Sequence, residues 1–278
     1  MRKSSHWGRR IGVVAIAVWS LFPLYWAVNV SLQTPAQAAS RPAHYLPPTP
    51  SLGNYKALLV GDGDLQQTVR RATVNIFVEC ASATVLTVVI ATLAAYAFAR
   101  LQFRGRTVLF YVVLGTMAFP PYTTLIPLYR ILSDVHLVNT YTGIVLVYAS
   151  GFLPLATWIL HNYMSALPVA LEEAGRVDGA TRMQILWRIV LPLARPGIVS
   201  TAIITFLFGW AQFLFPLVLS SDISTQPLTV AIAGMQGRHL VPYTLLNAAG
   251  VVALAIPAGI AVLMNRYIVS GLLTGSVK

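Results

Sequence analysis

Long apolar runs separated by short polar connections dominate the chain and set its architecture before any single residue is considered. A helix rises about 1.5 Å per residue, so crossing the roughly 30 Å hydrocarbon core of a bilayer takes about 20 apolar residues. Six stretches meet that length with almost no charge inside them: 12–32, 74–99, 107–128, 141–160, 197–219 and 243–265. Backbone polar groups in lipid must be satisfied internally, which leaves helices or a closed barrel. Runs this long, with no two-residue alternation, exclude the barrel. The pattern predicts an all-α polytopic membrane protein, with six transmembrane helices in a single domain over residues 1–278.

Composition agrees with that reading. Of 278 residues, 56% are hydrophobic and only 10% charged, against about 25% charge in ordinary globular domains. The net charge of +11 does not indicate a nucleic-acid partner, because the 19 basic residues are spread between apolar runs rather than gathered on one solvated face. The single cysteine, Cys80, allows no internal disulfide.

The basic residues also predict orientation, since Lys and Arg are retained on the cytoplasmic side. Arg2, Lys3, Arg9, Arg10, Arg100, Arg104, Arg106, Arg176, Arg182, Arg188, Arg195, Arg266 and Lys278 fall on one side. Arg41, Lys56, Arg70, Arg71, Arg130 and Arg238 fall on the other, over longer loops. Both termini are therefore expected in the cytoplasm. The basic start and Ala36-Gln37-Ala38 imitate a secretory signal, but the apolar run between them is longer than a signal core of about 7–15 residues and contains Trp19, Pro23 and Trp26. It is read as a retained span. The proline-rich connection 33–73 then lies outside, and a short helix is expected near 52–59.

The most informative stretch lies between the fourth and fifth spans, within 165–195, where residues 167–192 read LPVALEEAGRVDGATRMQILWRIVLP. Pro168 suits the first turn of a helix running to about Val177. Gly179 lets the chain turn. Thr181 followed by Gln184 is a capping-box pattern opening a second helix, on which Met183, Leu186, Trp187 and Val190 fall on one face. Pro192 ends it. Two short helices meeting at a bend suit either a headgroup-level interfacial segment or docking into a partner's groove.

Glu173-Ala174-Gly175, with Gly179 after it and Ile189-Val190-Leu191-Pro192 closing the stretch, resembles the EAA signature of permease subunits of binding-protein-dependent ABC importers. The longer run from Glu172 to Gly197 is similar to the carbohydrate branch, the maltose-type second permease in particular. The match covers Glu173, Ala174, Asp178, Gly179, Ala180, Leu191 and Pro192. Gly175 replaces an alanine and should loosen the first helix by about 1 kcal/mol. Two further runs resemble the family: Ala94-Ala95-Tyr96-Ala97-Phe98-Ala99-Arg100 before Phe103-Arg104-Gly105-Arg106, and the tail Gly271–Lys278. At Phe208-Gly209-Trp210-Ala211-Gln212-Phe213 the chain departs from the family's usual Trp-Asn-Asp or Trp-Asn-Glu.

The resemblance implies the type I importer permease fold and a non-catalytic subunit in a bacterial inner membrane. Its implied partners are a second homologous permease, two ATP-binding subunits, an extracytoplasmic solute-binding protein and a carbohydrate such as maltose or trehalose. It also implies that Glu172, Glu173, Ala174, Gly175, Asp178, Gly179, Ala180, Leu191 and Pro192 couple to the ATPases, and that Gly275 and Lys278 reach toward them. No G-x-x-x-x-G-K-[ST] loop occurs in the chain. No cofactor is expected in this chain; ATP and magnesium would sit on the partner ATPases.

Glu79 is the only formal charge inside the six spans, placed near the start of the second. An ionisable residue in lipid is a functional candidate, either bonded to a neighbouring helix or facing the solute path. Trp210 and Gln212 offer a stacking face and an amide for sugar hydroxyls. His161 has no second His, Cys, Asp or Glu nearby at metal-ligand spacing. An ion-coupled secondary transporter would show paired intramembrane charges and related halves, and an intramembrane enzyme a catalytic constellation; neither pattern is present. The same permease role for glycerol phosphate would call for a basic residue in the pathway, and the spans contain none.

Overall fold

A computed structural model describes residues 6–236 and 241–265, with the side chains of His6 and Gln236 excluded. Among the described residues every regular element is a helix. In chain order these are α1 (His6–Ser31), α2 (Pro35–Ala38), α3 (Gly53–Leu59), α4 (Asp64–Arg100), α5 (Arg106–Gly115), α6 (Leu125–Asp134) and α7 (Tyr141–Ser165). After them come α8 (Ala170–Val177), α9 (Arg182–Ile185), α10 (Leu191–Trp210), α11 (Leu214–Leu219), α12 (Leu228–Gln236) and α13 (Tyr243–Leu263). Five helical stretches are long and apolar enough to cross a membrane, or six if the bent pair Arg106–Ala118 and Pro121–Asp134 makes one span. The chain is an all-helical polytopic membrane protein.

Three spans differ from the sequence expectation for physical reasons. The second does not begin at 74: α4 starts at Asp64 and runs for 37 residues. Its first ten residues, Asp64-Leu65-Gln66-Gln67-Thr68-Val69-Arg70-Arg71-Ala72-Thr73, are too polar for a hydropathy criterion yet mostly sound helix formers. The third is not one helix over 107–128, because its two halves meet at 90°. Pro120 and Pro121 supply no N–H, and their rings crowd the carbonyls four residues back; Phe119 and Pro120 are accordingly extended, at ψ 129° and 119°. The fifth does not run unbroken over 197–219. It breaks after Trp210, with Phe213 at φ −133°, before α11 resumes. Pro216 would press on the carbonyl of Gln212 in a continuous helix.

The chain divides into two compact units. One comprises Met1–Arg71 and Leu228–Ile256. In it the extended connection after α1 is tied down by polar side chains. Asn54 donates to the carbonyls of Ser31 (2.8 Å) and Gln33 (2.9 Å), the hydroxyls of Ser31 and Tyr55 pair at 2.6 Å, and Thr244 of α13 donates to Asn54 at 3.2 Å. The expected short helix before α4 is α3.

The other unit comprises Ala72–Pro227 and Pro257–Lys278. Its helices pack through small residues, as membrane helices do. A Cβ on Gly209 of α10 would stand 3.2 Å from the Cys80 Sγ of α4, and the Phe77 and Phe206 rings meet at 5.8 Å. One apolar core gathers Ala95 and Tyr96 of α4, Leu160 and Met164 of α7, and Ile185, Leu186 and Val190 that follow α8. The stretch expected to couple to a partner is thus fastened to the ends of two spans.

Candidate functional site

Two places concentrate the chemistry, and the first is the bend between α8 and α9. The end of α8 carries a Schellman motif: Ala180 N–H donates to the Gly175 carbonyl at 2.9 Å and Gly179 N–H to the Arg176 carbonyl at 3.0 Å. That closure needs a left-handed residue, and Gly179 supplies it at φ +81°. Thr181 and Gln184 then form the capping box that opens α9. Pro168 does not enter the helix; it lies two residues before Ala170.

A π turn over Leu186–Val190 joins α9 to α10, and it changes which residues face inward. Met183, Leu186, Trp187 and Val190 were expected on one face. Instead Ile185, Leu186 and Val190 are buried, while Met183 and Trp187 are 60% and 62% exposed. The extra residue in a π turn rotates the helix surface relative to the α register. Sequence periodicity does not contain that rotation, so the outward tryptophan was missed.

The residues expected to couple to an ATPase separate in the same way. Glu173, Ala174, Asp178, Gly179 and Pro192 are exposed, and Ala180 and Leu191 are half-buried. Gly175 is buried, and a Cβ there would stand 2.8 Å from the Ile189 Cδ1. An alanine there would require the end of the Ile189 side chain to shift, an effect separate from helix propensity. Glu172 departs most from the expectation: it is 2% exposed and its Oε1 accepts from the Arg100 Nε of α4 at 2.5 Å. It is not available to a partner. Gly275 and Lys278 lie outside the described residues. The exposed apolar side chains of this stretch are Val169, Leu171, Val177, Met183 and Trp187, interspersed in sequence with the exposed Glu173, Arg176, Asp178 and Arg182.

The second place is a cavity of about 370 Å³ where the two broken spans face α7. Its wall includes Thr116, Phe119 and Thr124 at the first break, Tyr148, Ser150, Phe152 and Pro154 on α7, and Phe208, Gln212 and Phe215 at the second. The wall mixes aromatic side chains with aliphatic ones such as Met117, Leu128, Val147 and Leu155, and carries scattered hydroxyls and one amide; among the described residues no charged side chain takes part.

Of the three expected pathway residues, only Gln212 lines this cavity. Trp210 is 4% exposed and tilts against the Phe206 ring at 5.8 Å, because α10 ends there with the indole turned into the helix packing. Glu79 lies 15 residues into α4, about four turns along, because the helix begins well before the apolar span. It is fully buried, and among the described residues neither carboxylate oxygen has a hydrogen-bond partner. The cavity aromatics were not singled out because nothing marks a chain break as a lining until the prolines are placed in space. His161 meets the Phe110 ring at a tilt of 35°, with ring centroids 4.3 Å apart.

A family model described as "Binding-protein-dependent transport system inner membrane component" matches residues 58–272. The chain belongs to this family. It is a multi-pass permease subunit of the inner membrane and is not itself catalytic. Among its relatives is the sulfoquinovosyl glycerol transport system permease protein SmoH of Agrobacterium fabrum, 33% identical over 97% of this chain and 93% of SmoH. Another is the trehalose/maltose transport system permease protein MalG of Thermococcus litoralis, 34% identical over 96% and 95%. The permease also shares its fold with a chain of a bacterial ABC transporter that imports the acidic polysaccharide alginate. There the TM-score is 0.80 at 21% identity, covering 96% and 98% of the two chains.

Proposed function

We propose that the permease forms one half of the translocation pathway of an ATP-driven importer for a neutral carbohydrate, a disaccharide or oligosaccharide of the maltose or trehalose kind. The cavity carries this reading. Aromatic faces, hydroxyls and an amide suit a polar, uncharged ligand, and both broken spans contribute to the wall. Irregular backbone at membrane depth is tolerated where it lines a cavity. The relatives named for trehalose and maltose support the sugar class, and among the described residues no charged side chain lines the cavity.

The energy arrives through α8, the bend at Gly179 and α9, which seat in a cleft of an ATP-binding subunit. The exposed Val177, Met183 and Trp187 give apolar anchors within a charged rim, the form of a helix-in-groove contact. Two such ATPases carrying ATP and magnesium, a second homologous permease and an extracytoplasmic solute-binding protein complete the transporter. The bend and both termini face the cytoplasm, in line with the greater density of Arg and Lys on that side.

The test is mild-detergent purification of the tagged permease from its host, followed by uptake assays in vesicles. Recovery of ATPase and second permease, with uptake of labelled trehalose or maltose, supports the reading. Uptake of glycerol phosphate and of no sugar would overturn the solute class. Normal uptake in both Glu173→Lys and Gly179→Leu chains would overturn the docking assignment.

A further inference from the structure

The two adjacent acidic residues of the coupling segment do different work. Glu173 points outward, whereas the Glu172 side chain is 3% exposed and faces the end of α4. There the Arg100 Nε donates to the Glu172 Oε1, and the Arg100 Nη2 donates to the Leu167 carbonyl at 2.8 Å. One guanidinium thus ties the last residue of α4 to both the α7–α8 connection and α8.

We propose that Arg100 and Glu172 are positioning residues that convert movement of the coupling helices into movement of α4, so that ATP hydrolysis and solute passage stay linked. This rests on the docking reading of α8 and α9. The apolar contacts beneath, of Tyr96, Met164 and Ile185, hold the segment against the spans but do not fix its register, because dispersion and burial are non-directional. A buried ion pair with a planar donor is directional, and specifying register is the best-attested use of such pairs. Among the described residues the second oxygen of Glu172 has no hydrogen-bond partner, so Arg100 is the group there that holds the carboxylate by hydrogen bonding. Glu173, Arg176 and Asp178 are exposed, although Arg176, four residues after Glu172, shares its side of α8.

The experiment uses the complete transporter in proteoliposomes, with its ATPases, second permease and binding protein, and reads solute uptake per ATP hydrolysed. Glu172→Gln should retain its ATPases in pull-down and keep hydrolysing ATP, with the uptake-to-hydrolysis ratio lowered about two- to thirtyfold. Arg100→Met with Glu172→Met leaves no charge unpaired and so should assemble even if the single variant does not; its ratio should fall equally. The exchanged pair Arg100→Glu with Glu172→Arg should recover part of the ratio. A normal ratio in the assembled double-Met transporter overturns the proposal. Failure of the docking reading shows separately, as ATPases retained by the Glu173→Lys chain.

Discussion

Gly197 of α10 lies so close to Tyr163 of α7 that a Cβ on the glycine would stand 2.7 Å and 2.9 Å from the two Cδ atoms of the ring. The same glycine's carbonyl accepts from the hydroxyls of Ser200 (3.0 Å) and Thr201 (2.8 Å). Backbone, ring and hydroxyls therefore share one crossing point. Gly197→Ala should destabilise the permease by about 1–3 kcal/mol through overpacking, and Tyr163→Ala in the same chain should return part of that loss. Melting temperatures of the purified transporter in detergent decide it; additive losses would mean that the two residues do not meet.

Asn75 of α4 secures the segment after α11. Its Nδ2 donates to the carbonyls of Ile223 (3.1 Å) and Gln226 (2.9 Å), and its Oδ1 accepts from the Tyr141 hydroxyl at 2.6 Å. Asn75→Leu should cost about 1–3 kcal/mol for the groups left unpaired. The loss is expected to be local, read as faster hydrogen exchange over residues 221–227 with unchanged exchange in α8. Unchanged protection of that segment would remove Asn75 from this role.

Glu79 tests whether a buried carboxyl is needed for transport. Burying an unpaired charge is expensive, and Gln of similar shape removes the charge. Glu79→Gln is expected to assemble and take up solute within about twofold of the parent, whereas Glu79→Lys should lower the assembled yield about tenfold or more. A large loss of uptake in assembled Glu79→Gln would give the carboxyl a part in the solute pathway.

Among the described residues Gln212 is the one amide on the cavity wall. Gln212→Leu should weaken uptake about five- to twentyfold through loss of hydrogen bonding to solute hydroxyls, with ATPase binding intact. Trp210→Phe, away from the wall, should leave apparent solute affinity within about twofold. Equal effects of the two substitutions would contradict this placement of the site.

Length and apolarity made the membrane helices legible because hydropathy reports the solvent each stretch requires. Gly179 and the Thr181–Gln184 capping box were legible because those conformations demand particular residues. The partition of Glu172 from Glu173 was not: it depends on where Arg100, 72 residues earlier, ends its helix. The inward face of α9 was misjudged because a π turn leaves no mark in composition. Trp210 carried the chemistry for sugar stacking but not the placement, and the aromatics that line the cavity lie apart in sequence.

Among the long helices, α4 alone contains neither proline nor glycine in its 37 residues. At about 1.5 Å per residue it is roughly 55 Å long, while even a span tilted by about 40° uses only some 40 Å of helix inside a 30 Å hydrocarbon layer. More than a quarter of α4 therefore stands clear of the oil. Between Ala72 and Arg100 neither proline nor glycine offers a hinge, so that length is built as a pushrod, and a displacement at its Arg100 end would be passed along it with little absorbed on the way.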